Sequence, residues 1–244
     1  HYDDVLVYGS REVFDLGAQY DWPDDVKSLV HYCGYVCAPP GSATAKPLRR
    51  RLLRDAPDGR LVLAMAGGGA DAHALFETLL RALPRIRADQ PCAVTIVTGP
   101  FVSASSWSTL KRLSRGLPVR LIRSVGATLP YLSAADLVVA MAGYNTTAEI
   151  LGSGIRALLV PRKGPSAEQQ MRASRFADRG WVHWLPPSTL AEETLADAVL
   201  AALESPRPKP AVPPDLDGAR RAVQHLLSDM SEPAAESLAR EVVR

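Results

Sequence analysis

The sequence predicts an α/β fold, a Rossmann-like open parallel sheet with helices on both faces. From residue 60 onward, short apolar runs alternate strictly with amphipathic stretches. That order requires crossover connections and so a parallel sheet covered on both sides. Glycine-led turns directly follow two of the apolar runs, Gly67 to Gly69 after residues 61–65 and Gly143 after residues 137–140. Of 244 residues, 47% are hydrophobic and 22% charged, enough to bury a substantial core in an ordinary globular chain.

Residues 5–8 read as a buried strand, 11–20 as a short helix and 29–36 as a second strand. The Pro/Gly/Ser-containing residues 37–42 are a linker by composition. The regular alternation then begins. Residues 61–65 form a strand, and 71–83 a helix with Leu75, Leu79 and Leu83 on one face. Strand 93–97 and helix 106–115 follow, then strand 119–122, short helix 129–135 and strand 136–140. Helix 146–152, strand 157–160, helix 167–179, strand 181–185 and helix 192–203 complete the series. Residues 205–214 are too rich in proline for a helix or a central strand, and helical stretches are expected at 217–230 and 234–243.

The formal net charge of +2 gives no reason to expect a nucleic-acid partner, and Arg49, Arg50, Arg51 and Arg54 read as a solvated loop or helix start. No apolar run reaches membrane-spanning length. Cys33, Cys37 and Cys92 form no C-x-x-C pair, so reduced thiols in a cytoplasmic protein are the expectation. His31 near Cys33 and Cys37 fits no zinc spacing and reads as part of an alternating strand. Neither a cofactor nor a metal is expected. Asp215 and Asp217 follow a proline run rather than a strand and read as a helix cap.

The glycines at 67–69 let a backbone approach an anion closely, without the P-loop lysine or G-x-G-x-x-G spacing. Asn145, Thr146 and Thr147 after Gly143 suit a helix N-cap, and a capped N-terminus still offers N–H donors to phosphate. Glu149, placed near the start of that helix, suits either the helix dipole or a ligand hydroxyl. Glu168 and Gln169 open another helix, with Gln170 a near-equal candidate one register on. His73 reads as a surface or helix-packing histidine.

These residues carry a family resemblance. Gly143, Tyr144, Asn145, Thr146 and Glu149 fall on the G-W-N-S-x-x-E block of UDP-sugar-dependent glycosyltransferases of the GT-B architecture. Gly154 and Ile155, Pro161, and Ala167-Glu168-Gln169 fall on that family's later G-V-P, P and A-E-Q pieces. The block also resembles the bacterial N-acetylglucosaminyltransferases of peptidoglycan synthesis, which carry a glycine loop earlier in the same domain. Met141 stands where the plant-type members often have histidine, and Tyr144 replaces tryptophan.

The resemblance, which covers about residues 60 to 205, implies one half of a GT-B two-domain architecture. Residues 1–40 would then be the tail of a preceding domain plus hinge, 41–205 the donor domain, and 206–244 a Pro-rich linker with terminal helices. The chain opens at His1 directly ahead of a strand-like run, so a missing N-terminal domain is a further expectation. The implied substrate is a nucleotide-sugar, UDP-sugar first. Gly67, Gly68, Gly69, Gly143 and Thr146 would hold its diphosphate, and Val125 would meet the base. Glu149 would take the ribose, and Glu168, Gln169 or Gln170 the sugar. The catalytic base would belong to the other domain, and the acceptor is not specified. A sugar-nucleotide epimerase or hydrolase, or an inactive nucleotide-binding module, remains the alternative.

Overall fold

A computed structural model of the protein describes residues 2–38, 45–164 and 167–228. In chain order the elements begin with β1 (Val5–Val7), α1 (Leu16–Gln19), α2 (Asp24–Ser28) and β2 (Val30–Tyr32). Next come α3 (Ala45–Leu52), β3 (Arg60–Met65), α4 (His73–Asp89), β4 (Cys92–Val97), α5 (Ala104–Leu113) and β5 (Val119–Ile122). Then follow α6 (Leu129–Ala134), β6 (Leu137–Ala140), α7 (Tyr144–Ser153), β7 (Ala157–Leu159) and α8 (Glu168–Asp178). β8 (His183–Trp184), α9 (Glu192–Glu204) and α10 (Gly218–Ser228) close the series. The described residues form two compact units, one of 2–37 with 214–228 and the other within Ala38–Pro213.

The larger unit is the expected open sheet. Its six strands are all parallel and run in the order β5-β4-β3-β6-β7-β8. The chain enters at β3, winds outward to β5, then returns beside β3 as β6 and winds the other way. The reversal therefore lies between β3 and β6, where an open α/β sheet leaves a crevice at its carboxyl edge. Met65 pairs with Ala140 across that boundary, so the loops after β3 and β6 leave the sheet side by side.

Both faces of the sheet are covered, which is why β3 and β6 are buried almost throughout rather than alternating. Leu75, Phe76, Leu79, Leu83 and Ile86 of α4 join Leu195, Val199 and Leu203 of α9 in one core cluster with β3, β4 and β6 residues. Helix α4 runs through Pro84 to Asp89, six residues beyond the expected end at Leu83. An internal proline costs about 3 kcal/mol. Burying Leu83 and Ile86 on either side stabilises by about 1.5–3 kcal/mol each and offsets it.

Arg49 is not a solvated loop residue. It lies on α3, where Nη1 donates to Ala134 O at 2.6 Å and Nη2 to Asp136 Oδ2 at 2.8 Å. Asp136 also accepts from Leu61 N at 2.7 Å, so this carboxylate links the starts of β3 and β6 to α3.

In the smaller unit β1 pairs parallel with β2, Val5 opposite Val30. Tyr35 N donates to Asp215 O at 2.7 Å, and Gly218 N to Tyr35 O at 3.1 Å, which ties the start of α10 to the segment after β2. Asp217 pairs with Arg220, Asp215 pairs with Arg221, and Asp215 Oδ1 accepts from Asp217 N at 3.2 Å. The expected helix over 11–20 shrinks to Leu16–Gln19, capped by Asp15, and the strand over 29–36 to Val30–Tyr32. The expected helix over 234–243 and most of the 37–42 linker lie outside the described residues. Among the described residues, no helix is long and apolar enough to cross a membrane.

Candidate functional site

A cleft of about 210 Å³ opens at the reversal between β3 and β6, lined by Gly67, Gly68, Gly69, Gly143, Thr146 and Gln169 together with Ala66, Ala70, Asp71 and Met141. The glycine loop is moulded against the neighbouring loop after β4. Gly69 has φ +87°, and a Cβ there would sit 1.9 Å from Thr98 O. Reciprocally, a Cβ on Gly99 would meet Gly67 O at 2.5 Å. Backbone-to-backbone packing of this kind admits no side chain. It leaves the rim of the cleft as main chain and gives Gly69 a structural task as well as a place in the lining.

Several helices start at this edge without a side-chain cap, among them α4, α7 and α8. Ala72, Gly143 and Ala167 stand at the N-cap positions of α4, α7 and α8, and none makes a side-chain capping bond. By contrast Ser103 caps α5, its hydroxyl accepting from Ser106 N at 3.0 Å. The expected capping by the Asn145-Thr146-Thr147 set is therefore not what occurs. Helix α7 begins at Tyr144, and Thr147 Oγ1 donates backward to Gly143 O (2.9 Å) or Tyr144 O (2.8 Å). An uncapped helix end carries roughly half a positive elementary charge and presents donors outward, which is an anion site.

The structure sorts the expected site residues. Gly67, Gly68, Gly69, Gly143, Thr146 and Gln169 converge on the cleft; Val125, Tyr144, Asn145, Glu149, Glu168 and Gln170 do not line it. Val125 lies in the loop after β5, at the same carboxyl edge but two strands from β3. Asn145 is exposed. Glu149 sits on the second turn of α7, not the first, so the helix dipole gives it little reason to be there. It is half-buried and has no hydrogen bond or ion pair among the described residues. Glu168 is the first residue of α8 and pairs with Arg172. Gln169 Oε1 accepts from Arg162 N at 3.3 Å. His73 begins α4, its Nε2 3.0 Å from Glu77 Oε2, in keeping with a helix-packing histidine.

Two cations escaped the sequence reading. Arg162, in the loop after β7, pairs through Nη1 with Asp71 Oδ2 at 2.9 Å, and its buried Nε has no hydrogen-bond partner. Arg172, on the second turn of α8, donates to Ala142 O at 2.7 Å and lies 5.8 Å from the centre of the Tyr144 ring. Both belong to a stretch where an i, i+4 carboxylate or an ordinary surface charge explains an arginine equally well. Neither lines the cleft itself; the tertiary placement of β6 and β7 brings Arg162 to the lining residue Asp71 and Arg172 to Ala142 and Tyr144, on either side of Gly143.

An open parallel sheet wound in both directions from β3 defines a Rossmann-like α/β protein. The chain belongs to glycosyltransferase family 28: the family's C-terminal domain matches residues 62–225. It is 31% identical over 169 residues to the UDP-N-acetylglucosamine--N-acetylmuramyl-(pentapeptide) pyrophosphoryl-undecaprenol N-acetylglucosamine transferase of Burkholderia mallei, covering 63% of this chain and 45% of that protein. It is 25% identical over 174 residues to an uncharacterized glycosyltransferase of Methanosarcina mazei, covering 71% and 41%. The chain thus spans less than half the length of these curated relatives. Among solved structures, Acinetobacter baumannii MurG aligns with TM-score 0.55 and 21% identity over 83% of this chain and 64% of that one. A putative UDP-N-acetylglucosamine 2-epimerase from Listeria monocytogenes aligns with TM-score 0.62 and 15% identity over 93% and 58%. At these identities the structural likeness concerns the fold, and both share the architecture the sequence predicts.

Proposed function

We propose that this chain is the donor-binding portion of a glycosyltransferase that transfers a hexosyl unit from a nucleotide-sugar, a UDP-sugar, to an acceptor held by a facing domain. One observation carries the reading: the glycine loop after β3, the uncapped start of α7 and Gln169 of α8 line one cleft at the sheet reversal. Negative charge developing on a departing diphosphate would be stabilised there by fixed donors that need no reorganisation. Gly67 to Gly69, Gly143 and Thr146 hold the diphosphate. Tyr144 and Asn145 flank it on α7, and Val125 meets the base. Glu149 takes the ribose hydroxyls, while Gln169, with Glu168 and Gln170 beside it, takes the sugar. The cleft is smaller than the roughly 300–1,000 Å³ of complete small-molecule sites, which supports a second wall from another domain. A cytoplasmic setting belongs to the same reading and agrees with three free cysteines.

Calorimetric titration of the chain with UDP, and with TDP, ADP and GDP beside it, tests this. Saturable binding that prefers UDP is expected, weakened roughly tenfold or more in Glu149→Ala, since hydrogen bonds to a charged group are worth about 1.5–3 kcal/mol. Equal binding of all four nucleotides, unchanged by the substitution, would sink the donor assignment. Release of free sugar from a UDP-sugar without any acceptor would favour a hydrolase instead.

A further inference from the structure

In the smaller unit, Asp4, His31 and His225 bring one ligand atom each to within 4.8 Å of the others. His31 Nε2 lies 3.0 Å from Asp4 Oδ1, and His225 Nε2 lies 3.2 Å from the same oxygen. The two rings sit 4.0 Å apart, centre to centre. We propose that these three side chains form a zinc site that clips α10 to the β1–β2 pair. Zinc bound at about 2.0–2.1 Å in tetrahedral geometry sets its ligand atoms about 3.3 Å apart, close to the two distances found. An imidazole-rich set with one carboxylate selects zinc over magnesium or calcium, which take oxygen ligands.

The polar chemistry of the cluster points the same way. His225 Nε2 is buried and close to the carboxylate, yet oriented so that no hydrogen bond forms. A buried imidazole nitrogen left in that state is unfavourable. A cation among the three atoms turns both nitrogens and the carboxylate oxygen into ligands at once. Solvent reaches the cluster, the His31 side chain being 41% exposed, so a water can take the fourth position. Asp4 precedes β1, His31 is the middle residue of β2 and His225 lies on α10, so the ion closes a loop spanning most of the chain. Long closures of this kind restrict the unfolded chain strongly. The sequence reading set His31 only against Cys33 and Cys37 and expected no metal; the true neighbour comes from the far end of the chain.

The test uses the tag-free, chelator-treated 244-residue chain, titrated with Zn²⁺ by calorimetry and with Co²⁺ by visible absorption. One equivalent of Zn²⁺ is expected to bind at micromolar or tighter affinity and to raise the melting temperature. Co²⁺ should give the intense visible bands of tetrahedral coordination, bleached by added zinc. His225→Gln and Asp4→Asn should each weaken binding at least tenfold, whereas His183→Gln should leave it unchanged. Circular dichroism of each variant reports whether the fold survives. If His225→Gln fails to fold, Asp4→Asn and the cobalt spectrum of the parent chain decide. Absent saturation, a spectrum without tetrahedral bands, or full affinity in a folded His225→Gln or Asp4→Asn chain would overturn the site.

Discussion

Arg162 reaches from the loop after β7 to Asp71 at the mouth of the cleft, Nη1 to Oδ2 at 2.9 Å, so a cation and an anion face each other where a diphosphate is proposed to enter. Both side chains are partly solvated, and a pair of this kind adds only about 0.2–1 kcal/mol to stability. Its effect on an anionic ligand is larger in consequence, because the two partners act with opposite sign. Asp71→Asn should tighten UDP binding about threefold by freeing the guanidinium. Arg162→Gln should weaken it about fivefold to tenfold by leaving an unopposed carboxylate at the rim. Raising the salt should shrink both differences. Titrations at low and high ionic strength check this, and effects of the same sign in the two variants would refute it.

Gly69 and Gly143 both line the cleft, yet for different physical reasons. Gly69 is held at φ +87° with the Thr98 carbonyl where its Cβ would be. Gly69→Ala should cost roughly 3 kcal/mol and lower the melting temperature by about 6–12 °C. Gly143 has φ −66° and open space around the Cβ position. Gly143→Ala should change stability by less than about 1 kcal/mol. It should nonetheless weaken UDP binding about tenfold, because the new methyl occupies the cleft wall. Comparing melting curves with titrations separates the two roles. Equal loss of stability in both variants would show that the second glycine is structural as well.

The parallel order was readable because β3, β4 and β6 are buried on both faces and so appear as unbroken apolar runs. The two glycine turns that flank the reversal were readable as anion-binding turns after two such runs. Three features were hidden. Helix α4 continues past Pro84 because buried Leu83 and Ile86 override a local breaker, and no sequence window weighs tertiary burial. Thr147 matches a cap residue in type, but one turn into the helix its hydroxyl bonds back to carbonyls instead. Arg162 and Arg49 find their carboxylates 91 and 87 residues away, a distance at which spacing carries no signal.

Cys92 opens β4 with no exposure, and burial pushes its thiol up to about 11 from an ordinary value of 9.0. Burial raises the Cys33 thiol as well. At pH 8 the thiolate fraction of Cys92 is therefore roughly a hundredfold below that of an unburied cysteine. Half-buried Cys37 should react first with a thiol reagent, and Cys92 only on unfolding. The same shift sets a pH dependence. The folded state holds the Cys92 proton more tightly than the unfolded state, so the associated stability is complete below about pH 8. It declines as the pH rises toward 11, by at most about 3 kcal/mol. Urea unfolding at pH 7, 9 and 10.5 should show this decline in the parent chain and a shallower one in Cys92→Ala. Identical slopes in the two proteins would mean that another group governs the alkaline loss.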